Sequence, residues 1–271
     1  MDEALEKWPN APLIFVLTAI RISQYPNIEK RIADLHEAVL AQLPERLNAQ
    51  GFSIALNPGV PTNQPRIEPK TITRLFNREA GLSLFIRDDL IALEVTQYNG
   101  FAWAQRTIRE LFAAVLSALP NLRPQGVAMR FVDAIVEHDS ETVAASVRPG
   151  LLGVELPHKL VGLQMTQQFQ VSKDHKLTVG LLRTMKETGV LVLPDGLEIP
   201  QVLKPDSKLE EFKAHAGEFG LLDFDSGIAY EGPADLDLLM KKLAQVHDVT
   251  RDALPLAASE LAILRWKGLE K

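Results

Sequence analysis

Cysteine is absent from this 271-residue sequence. A disulfide framework, a thiol nucleophile and any zinc or iron–sulfur site built on thiolates are therefore excluded. The signature loops of several enzyme classes are missing as well. The sequence has no G-x-x-x-x-G-K-[ST], G-x-G-x-x-G, H-E-x-x-H or G-x-S-x-G pattern. Nucleotide-binding, zinc-protease and esterase activities would each need a motif of another kind.

Positive charge is scarce too. The 29 lysines and arginines are outnumbered by 35 aspartates and glutamates, which gives a net charge of −6. This balance is unlike that of a protein that binds nucleic acid through a basic surface. Residues 1–10 lack the basic and apolar regions of an export signal, and the longest apolar run, 11–20, covers about half of a bilayer. These features predict a cytoplasmic protein that binds neither nucleic acid nor membranes.

The hydrophobic pattern predicts both helices and strands in the first half of the chain. Residues 28–43 repeat apolar side chains every three or four positions, with Asn27 as the N-cap. A longer apolar stripe predicts a helix at 101–119. Four prolines between 57 and 70 predict a surface loop. Short apolar or alternating runs predict strands at 12–22, 52–57, 71–76, 82–87, 90–98 and 126–137.

The second half of the chain follows a polar, linker-like segment at 139–158. Residues 160–171 alternate between apolar and polar types, which predicts a half-buried antiparallel strand. A hairpin then leads into a strand at 177–185, with His175 exposed in the turn, and further strands are predicted at 189–194 and 219–230. The side chains expected on the buried face of 160–171 are Val161, Leu163, Met165, Phe169 and Val171.

The C-terminal region is predicted to be helical, with Asp235 as the N-cap and a break at Pro255. Together these elements predict an α+β fold of mostly antiparallel sheets. We expect two sub-domains, 1–138 and 159–271, with helices packed on one face of each sheet.

Negative charge is concentrated late in the chain. Residues 195–237 hold eleven acids against Lys204, Lys208 and Lys213, a net charge of −8. One interpretation is a solvated loop and strand edge. The other is a face that attracts a basic protein, because complementary charge raises association rate and selectivity. The acids assigned to this partner-binding face are Asp195, Glu198, Asp206, Glu210, Glu211, Glu218, Asp223, Asp225 and Glu231.

The stretch FGLLDFDSGIAYEG, residues 219–232, places Asp223 and Asp225 on the same face of a strand. Two carboxylates could hold a hard cation if further oxygen ligands converged on them. A calcium loop that began at Asp223 would need a glutamate at position 12, where Ala234 stands. A phosphatase-type pair would follow the first strand of a doubly wound domain, which the surrounding pattern does not predict. We therefore interpret the pair as two exposed acids at the end of a strand, with a structural or surface role, and Arg130 as pairing locally beside Asp133.

Four segments in order resemble an uncharacterised, sporadically distributed bacterial family of similar length. They are the Asn10-Ala11-Pro12-Leu13 opening with Arg21 at the strand's end, the strand RFVDAI at 130–135, Leu222-Asp223-Phe224-Asp225, and a C-terminal helix with His247. The resemblance implies a fold and brings no activity. This chain departs from the family pattern at Phe15 and Ala19, where glutamates are usual, and at Asp133 and Ala134, where Asn and Arg are usual.

Two classes of function remain open. The favoured expectation is a non-catalytic protein-binding protein without a cofactor. Its most concrete form is an immunity protein or antitoxin that covers the active site of a toxic effector, and a basic nuclease would suit the acidic window. The alternative is an enzyme or a small-ligand or metal-binding protein with a site near Asp223, Asp225, Arg130 and His247.

Overall fold

The structure is a computed structural model, and it describes residues 8–55, 66–136, 142–152, 162–186 and 199–269. Within these ranges the chain forms an α+β fold with antiparallel strands, as expected from the sequence, and the described strands form one sheet. The strands are β1 (Leu13–Ile22), β2 (Glu45–Ala55), β3 (Arg66–Asn77), β4 (Leu82–Arg87), β5 (Leu90–Val95), β6 (Pro124–Val136), β7 (Gly162–Ser172), β8 (His175–Lys186) and β9 (Gly217–Ala229). The α-helices are α1 (Ile32–Val39), α2 (Phe101–Ala118), α3 (Val143–Ser146), α4 (Ser207–Ala214), α5 (Leu236–Ala257) and α6 (Glu260–Trp266).

The described strands join in the order β2-β3-β4-β5-β1-β6-β9-β8-β7. The sheet therefore runs without a break from strands of the first half to strands of the second. The junction is the long pairing of β6 with β9, from Gly126 opposite Ala229 to Val136 opposite Phe219. The expected division into two sub-domains is not confirmed, because the two halves share this sheet.

One face of the sheet, called here the helix face, carries the main hydrophobic core. In β9 the even-numbered residues Leu222, Phe224 and Ile228 point to this face, as the two-residue period of a strand requires. They belong to one cluster with the apolar stripes of α2 and α5. Burial of these stripes against the sheet is the main reason that the two helices are stable in this fold.

The opposite face, called here the open face, carries a second and smaller core. The odd-numbered residues Phe219 and Leu221 of β9 lie there with Val132 of β6, and Leu209 and Phe212 of α4 cover them. The prediction that helices pack on one face is therefore wrong for α4. The sequence pattern did not reveal α4, because only two of its eight residues are buried.

The structure also tests several local predictions about helix ends and loops. Asn27 adopts a left-handed conformation and makes no side-chain capping bond, and Pro255 lies inside α5 rather than ending it. Asp235 is the N-cap of α5, as expected, and accepts a hydrogen bond from Leu238 N at 2.9 Å. The proposed loop at 57–70 is partly strand, since β3 begins at Arg66, and the predicted strand at 189–194 lies outside the described residues. No helix in the described part of the chain is long and apolar enough to cross a membrane.

Candidate functional site

The Asp223–Asp225 pair lies on the open face in the middle of the sheet. Asp223 is only 6% exposed, and Arg130 of β6 binds it through two hydrogen bonds. Arg130 Nε donates to Oδ1 at 2.8 Å and Nη2 donates to Oδ2 at 2.6 Å. This two-pronged geometry is the strongest form of an arginine–carboxylate pair. The charge of Arg130 therefore balances that of Asp223 within the sheet, and the interpretation of Asp223 as an exposed acid is wrong.

Arg130 does not pair with Asp133, contrary to the expectation from sequence. Two strand residues three positions apart point to opposite faces. Asp133 lies opposite Leu222 of the helix-face core, whereas Arg130 lies opposite Asp225 of the open face. Strand alternation thus separates two neighbours in sequence and gives Arg130 a partner 93 positions away.

Asp133 is a buried carboxyl group of a different kind. It is 7% exposed, and among the described residues no hydrogen bond or ion pair reaches its carboxyl group. Burial first, and then the negative charge of Asp223, raise its pKa from 3.8 to about 7. Loss of hydration is the physical reason, because a buried carboxylate has no water to stabilise its charge.

A second buried ion pair lies further along the open face. Arg74 of β3 donates to both carboxylate oxygens of Glu94 on β5, at 3.0 and 3.2 Å, and Ser83 Oγ donates to Glu94 at 2.9 Å. Burial raises the pKa of Glu94, and the bonds from Arg74 and Ser83 oppose that rise. The open face therefore holds two arginine–carboxylate pairs that depend on sheet formation.

His175 and Ser226 form a buried pair that the sequence did not reveal. His175 Nε2 lies 2.8 Å from Ser226 Oγ, and burial lowers the pKa of the histidine. The interpretation of His175 as an exposed turn residue is wrong, because it is the first residue of β8. A serine next to a histidine can serve as a nucleophile, but Ser226 is fully buried. No substrate can reach it in this conformation, so the pair is structural.

The acids of the proposed partner-binding face are dispersed. Asp206 caps α4 by accepting a bond from Leu209 N at 2.8 Å, and Glu218 binds Arg183 at 2.7 Å. Glu210, Glu211, Asp225 and Glu231 are exposed, and Asp195 and Glu198 lie outside the described residues. Glu210 belongs to α4, which packs on Phe219 and Leu221 of β9, whereas Glu231 follows the last residue of β9. The acids do not form one compact cluster.

Two of the segments noted in the sequence meet at the end of the sheet. Pro12 O accepts a hydrogen bond from Ala134 N at 2.7 Å, and Asn10 N donates to Trp266 O at 3.0 Å. A cleft of about 270 Å³ lies at this junction. Its lining includes the apolar side chains Phe212 and Trp266 and the charged side chains Lys208, Glu211 and Arg265.

Metal binding has no support in the described ranges. No group of three or more His, Asp or Glu side chains there could hold an ion. His247, included in the alternative site, stacks on Phe101 with ring centroids 3.5 Å apart, and it packs near Phe131 of the helix-face core. It is on the other side of the sheet from Asp223 and Asp225, so the structure does not bring these three residues together.

Comparisons with family models, with curated proteins and with solved structures find no match. The resemblance described from the sequence stays a prediction.

Proposed function

We propose that this protein is a non-catalytic binding protein that neutralises another protein by direct contact, as an immunity protein or antitoxin does. The proposal is supported by one observation: the side chains that could act in catalysis have structural roles instead. Asp223 and Ser226 are each buried and bonded to a residue of a neighbouring strand, and the buried Glu94 is bonded to Ser83 of the neighbouring β4 and to Arg74 of β3, two strands away. The face-to-face stack with Phe101 likewise places His247 in a packing role.

The surface that suits a partner is the part of the open face beyond α4. Asp225 is exposed there, and it lies opposite Thr178 of β8. Glu231 follows the end of β9 and is also exposed. No described helix other than α4 packs on this face. A basic partner would gain long-range attraction from the net charge of −6 and local contacts from these two acids.

The test begins with capture of a partner from the source cell by the tagged full-length chain, at low and high salt. The captured protein is then purified, and its affinity for the wild type and for the double variant Asp225→Asn/Glu231→Gln is measured by titration calorimetry. We expect the double variant to bind about tenfold more weakly, because each exposed charge contributes up to about 1 kcal/mol. The activity of the partner should be inhibited in stoichiometric proportion.

Glu37→Gln supplies the matched control, since Glu37 is an exposed acid of α1 on the other side of the sheet. It should leave affinity unchanged. The control removes one charge and the double variant removes two. A control that loses half as much binding free energy as the double variant would mean that only net charge matters, and this would contradict the proposed surface. A partner whose activity is not inhibited would contradict the neutralising function.

The cleft beside Trp266 supports a second candidate, a small-ligand-binding protein. Its lining combines apolar side chains with the cations Lys208 and Arg265, which suit a small carboxylate with an apolar body, although Glu211 lines it too. Thermal-shift measurements with aromatic and branched carboxylates test this candidate, because a ligand that binds the folded state raises its melting temperature. Lys208→Met should abolish the shift, and a shift that survives this change would rule the cleft out.

A further inference from the structure

The edge strand β7 has features of an interaction surface that the proposed function does not use. It is the last strand in the described sheet order and pairs with β8 along one side. In the part of the chain that the structure describes, no strand pairs with its other side, which leaves backbone N–H and C=O groups unpaired by a strand over Gly162–Ser172, 11 residues. An edge of this length is a template for pairing with another strand.

Edge strands of monomeric proteins are usually protected by charge, proline or a bulge in the middle of the strand. The sequence of β7, GLQMTQQFQVS, contains no charged residue and no proline. Its one irregularity lies near the end, between Gln170 and Ser172. The opposite edge strand β2 begins with Glu45 and Arg46. The two edges of the same sheet are therefore not equivalent, and β7 lacks the usual protection.

Two apolar side chains of β7 are exposed where the sequence predicted burial. Phe169 and Val171 are each 46% exposed, whereas Leu163 and Met165, on the same side of the strand, are half-buried. Phe169 lies beyond the reach of the core because the described sheet ends at β7. These side chains would gain burial if the sheet continued past β7.

The order of residue types in β7 is the same when the strand is read in either direction from Gln167. Apolar residues stand two and four positions away on both sides, and polar residues stand one and three positions away. In an antiparallel pair of two β7 strands centred on Gln167, Met165 would lie opposite Phe169. Leu163 would lie opposite Val171 in the same register. Every apolar residue then meets an apolar residue, and no charge meets a like charge.

We propose that β7 is a self-association edge, at which a second copy of this chain pairs antiparallel about a two-fold axis at Gln167. The sheet would then run continuously through both protomers, with the helix faces on the same side. A two-fold contact requires a surface that is complementary to itself, and the symmetric order of β7 meets this requirement. The inference does not depend on the proposed partner, because Asp225 and Glu231 are not in β7.

The absence of native cysteine makes the register directly testable. In the full-length chain, Gln167→Cys would place two thiols opposite each other, with Cα atoms about 4.5 to 5.5 Å apart. This separation suits a disulfide. We expect Gln167→Cys to form a covalent dimer under mild oxidation. Phe169→Cys should not link to itself, because the two residues would be about 13 Å apart along the strands.

Mixing separately tagged Met165→Cys and Phe169→Cys proteins provides a further check of register. A disulfide should join the two different proteins, and homodimers should stay a minor product. Equal linking at positions 167 and 169 would overturn the proposed register. Absence of any link at 167, together with a mass of 30.0 kDa for the wild type at all concentrations, would overturn the self-association itself.

Light scattering on the unmodified protein gives an independent readout. We expect the wild type to show twice the chain mass at high concentration, and Phe169→Lys to show the mass of one chain. Lysine at an edge blocks strand pairing. Leu256→Lys is the matched control, because Leu256 is 77% exposed on α5 and should leave the dimer intact. Dissociation by both changes would overturn β7 as the contact.

Discussion

Asp133 and Asp223 are both nearly buried in the middle of the same sheet, and they show how different its two faces are. Asp223 is on the open face and holds a two-pronged pair with Arg130. Asp133 is on the helix face and has no cation against it in the described residues, so its pKa rises to about 7. The comparison shows that burial alone does not determine how well the charge of a carboxyl group is stabilised. That depends on which neighbours the strand pairing supplies.

The largest expected effect on stability comes from removing Arg130, the counter-ion of Asp223 on the open face. Arg130→Met should lower the free energy of unfolding by about 3 kcal/mol, because it leaves Asp223 buried without its partner. Urea unfolding of the variant and the wild type measures the difference. The double change Arg130→Met/Asp223→Leu should recover most of the loss, since an apolar pair needs no compensation. Equal destabilisation by the double variant would show that the ion pair itself stabilises the sheet.

A smaller effect on stability is expected from replacing Asp133, and its size depends on pH. Folding raises the pKa of Asp133 from 3.8 to about 7, so the folded state binds this proton more tightly than the unfolded state. The associated stability is present at acid pH and is lost as pH rises through about 7. Asp133→Asn should therefore gain about 2 kcal/mol relative to the wild type between roughly pH 5 and pH 8. Urea unfolding at the two pH values measures this gain. Parallel pH profiles of the two proteins would contradict the assignment.

The smallest effect compares two glycines of β9 that lie on different faces. A Cβ at Gly220 would clash with Val143 Cγ1 of α3, whereas a Cβ at Gly227 would meet Ala128 Cβ of β6 at 3.4 Å. We expect Gly220→Ala to cost about 1 to 2 kcal/mol through overpacking. Gly227→Ala should stay within about 0.5 kcal/mol of the wild type. Thermal unfolding of both variants checks the contrast, and similar losses would mean that the two faces are packed equally tightly at these positions.

The sequence predicted the elements whose pattern is local. The stripe of α2 and the apolar runs of β1, β4 and β6 lie within two residues of their predicted bounds, because periodicity is visible in a short window. It missed α4, which has only two buried residues. It also placed Phe169 inside, since alternation shows which residues share a face but not whether anything covers that face.

The candidate site was only partly predictable for the same reason. That Asp223 and Asp225 share a face follows from their spacing. Their interpretation as exposed acids is confirmed for Asp225 and wrong for Asp223, which is buried and paired with Arg130. The choice of that partner could not be read from the sequence, because β6 and β9 are brought together by strand order. The pairs Glu94–Arg74 and His175–Ser226 were not predicted for the same reason, because strand order brings their members together.

The sequence by itself determined the α+β class, the alternation of each strand and the lack of thiol chemistry, because these depend on composition and short-range spacing. Only the tertiary structure decided that the two halves share one sheet, which buried acid has a counter-ion, and which edge strand is unprotected. These properties depend on contacts between residues far apart in the chain. Such contacts are fixed by how the whole chain buries its apolar surface and satisfies its buried polar groups.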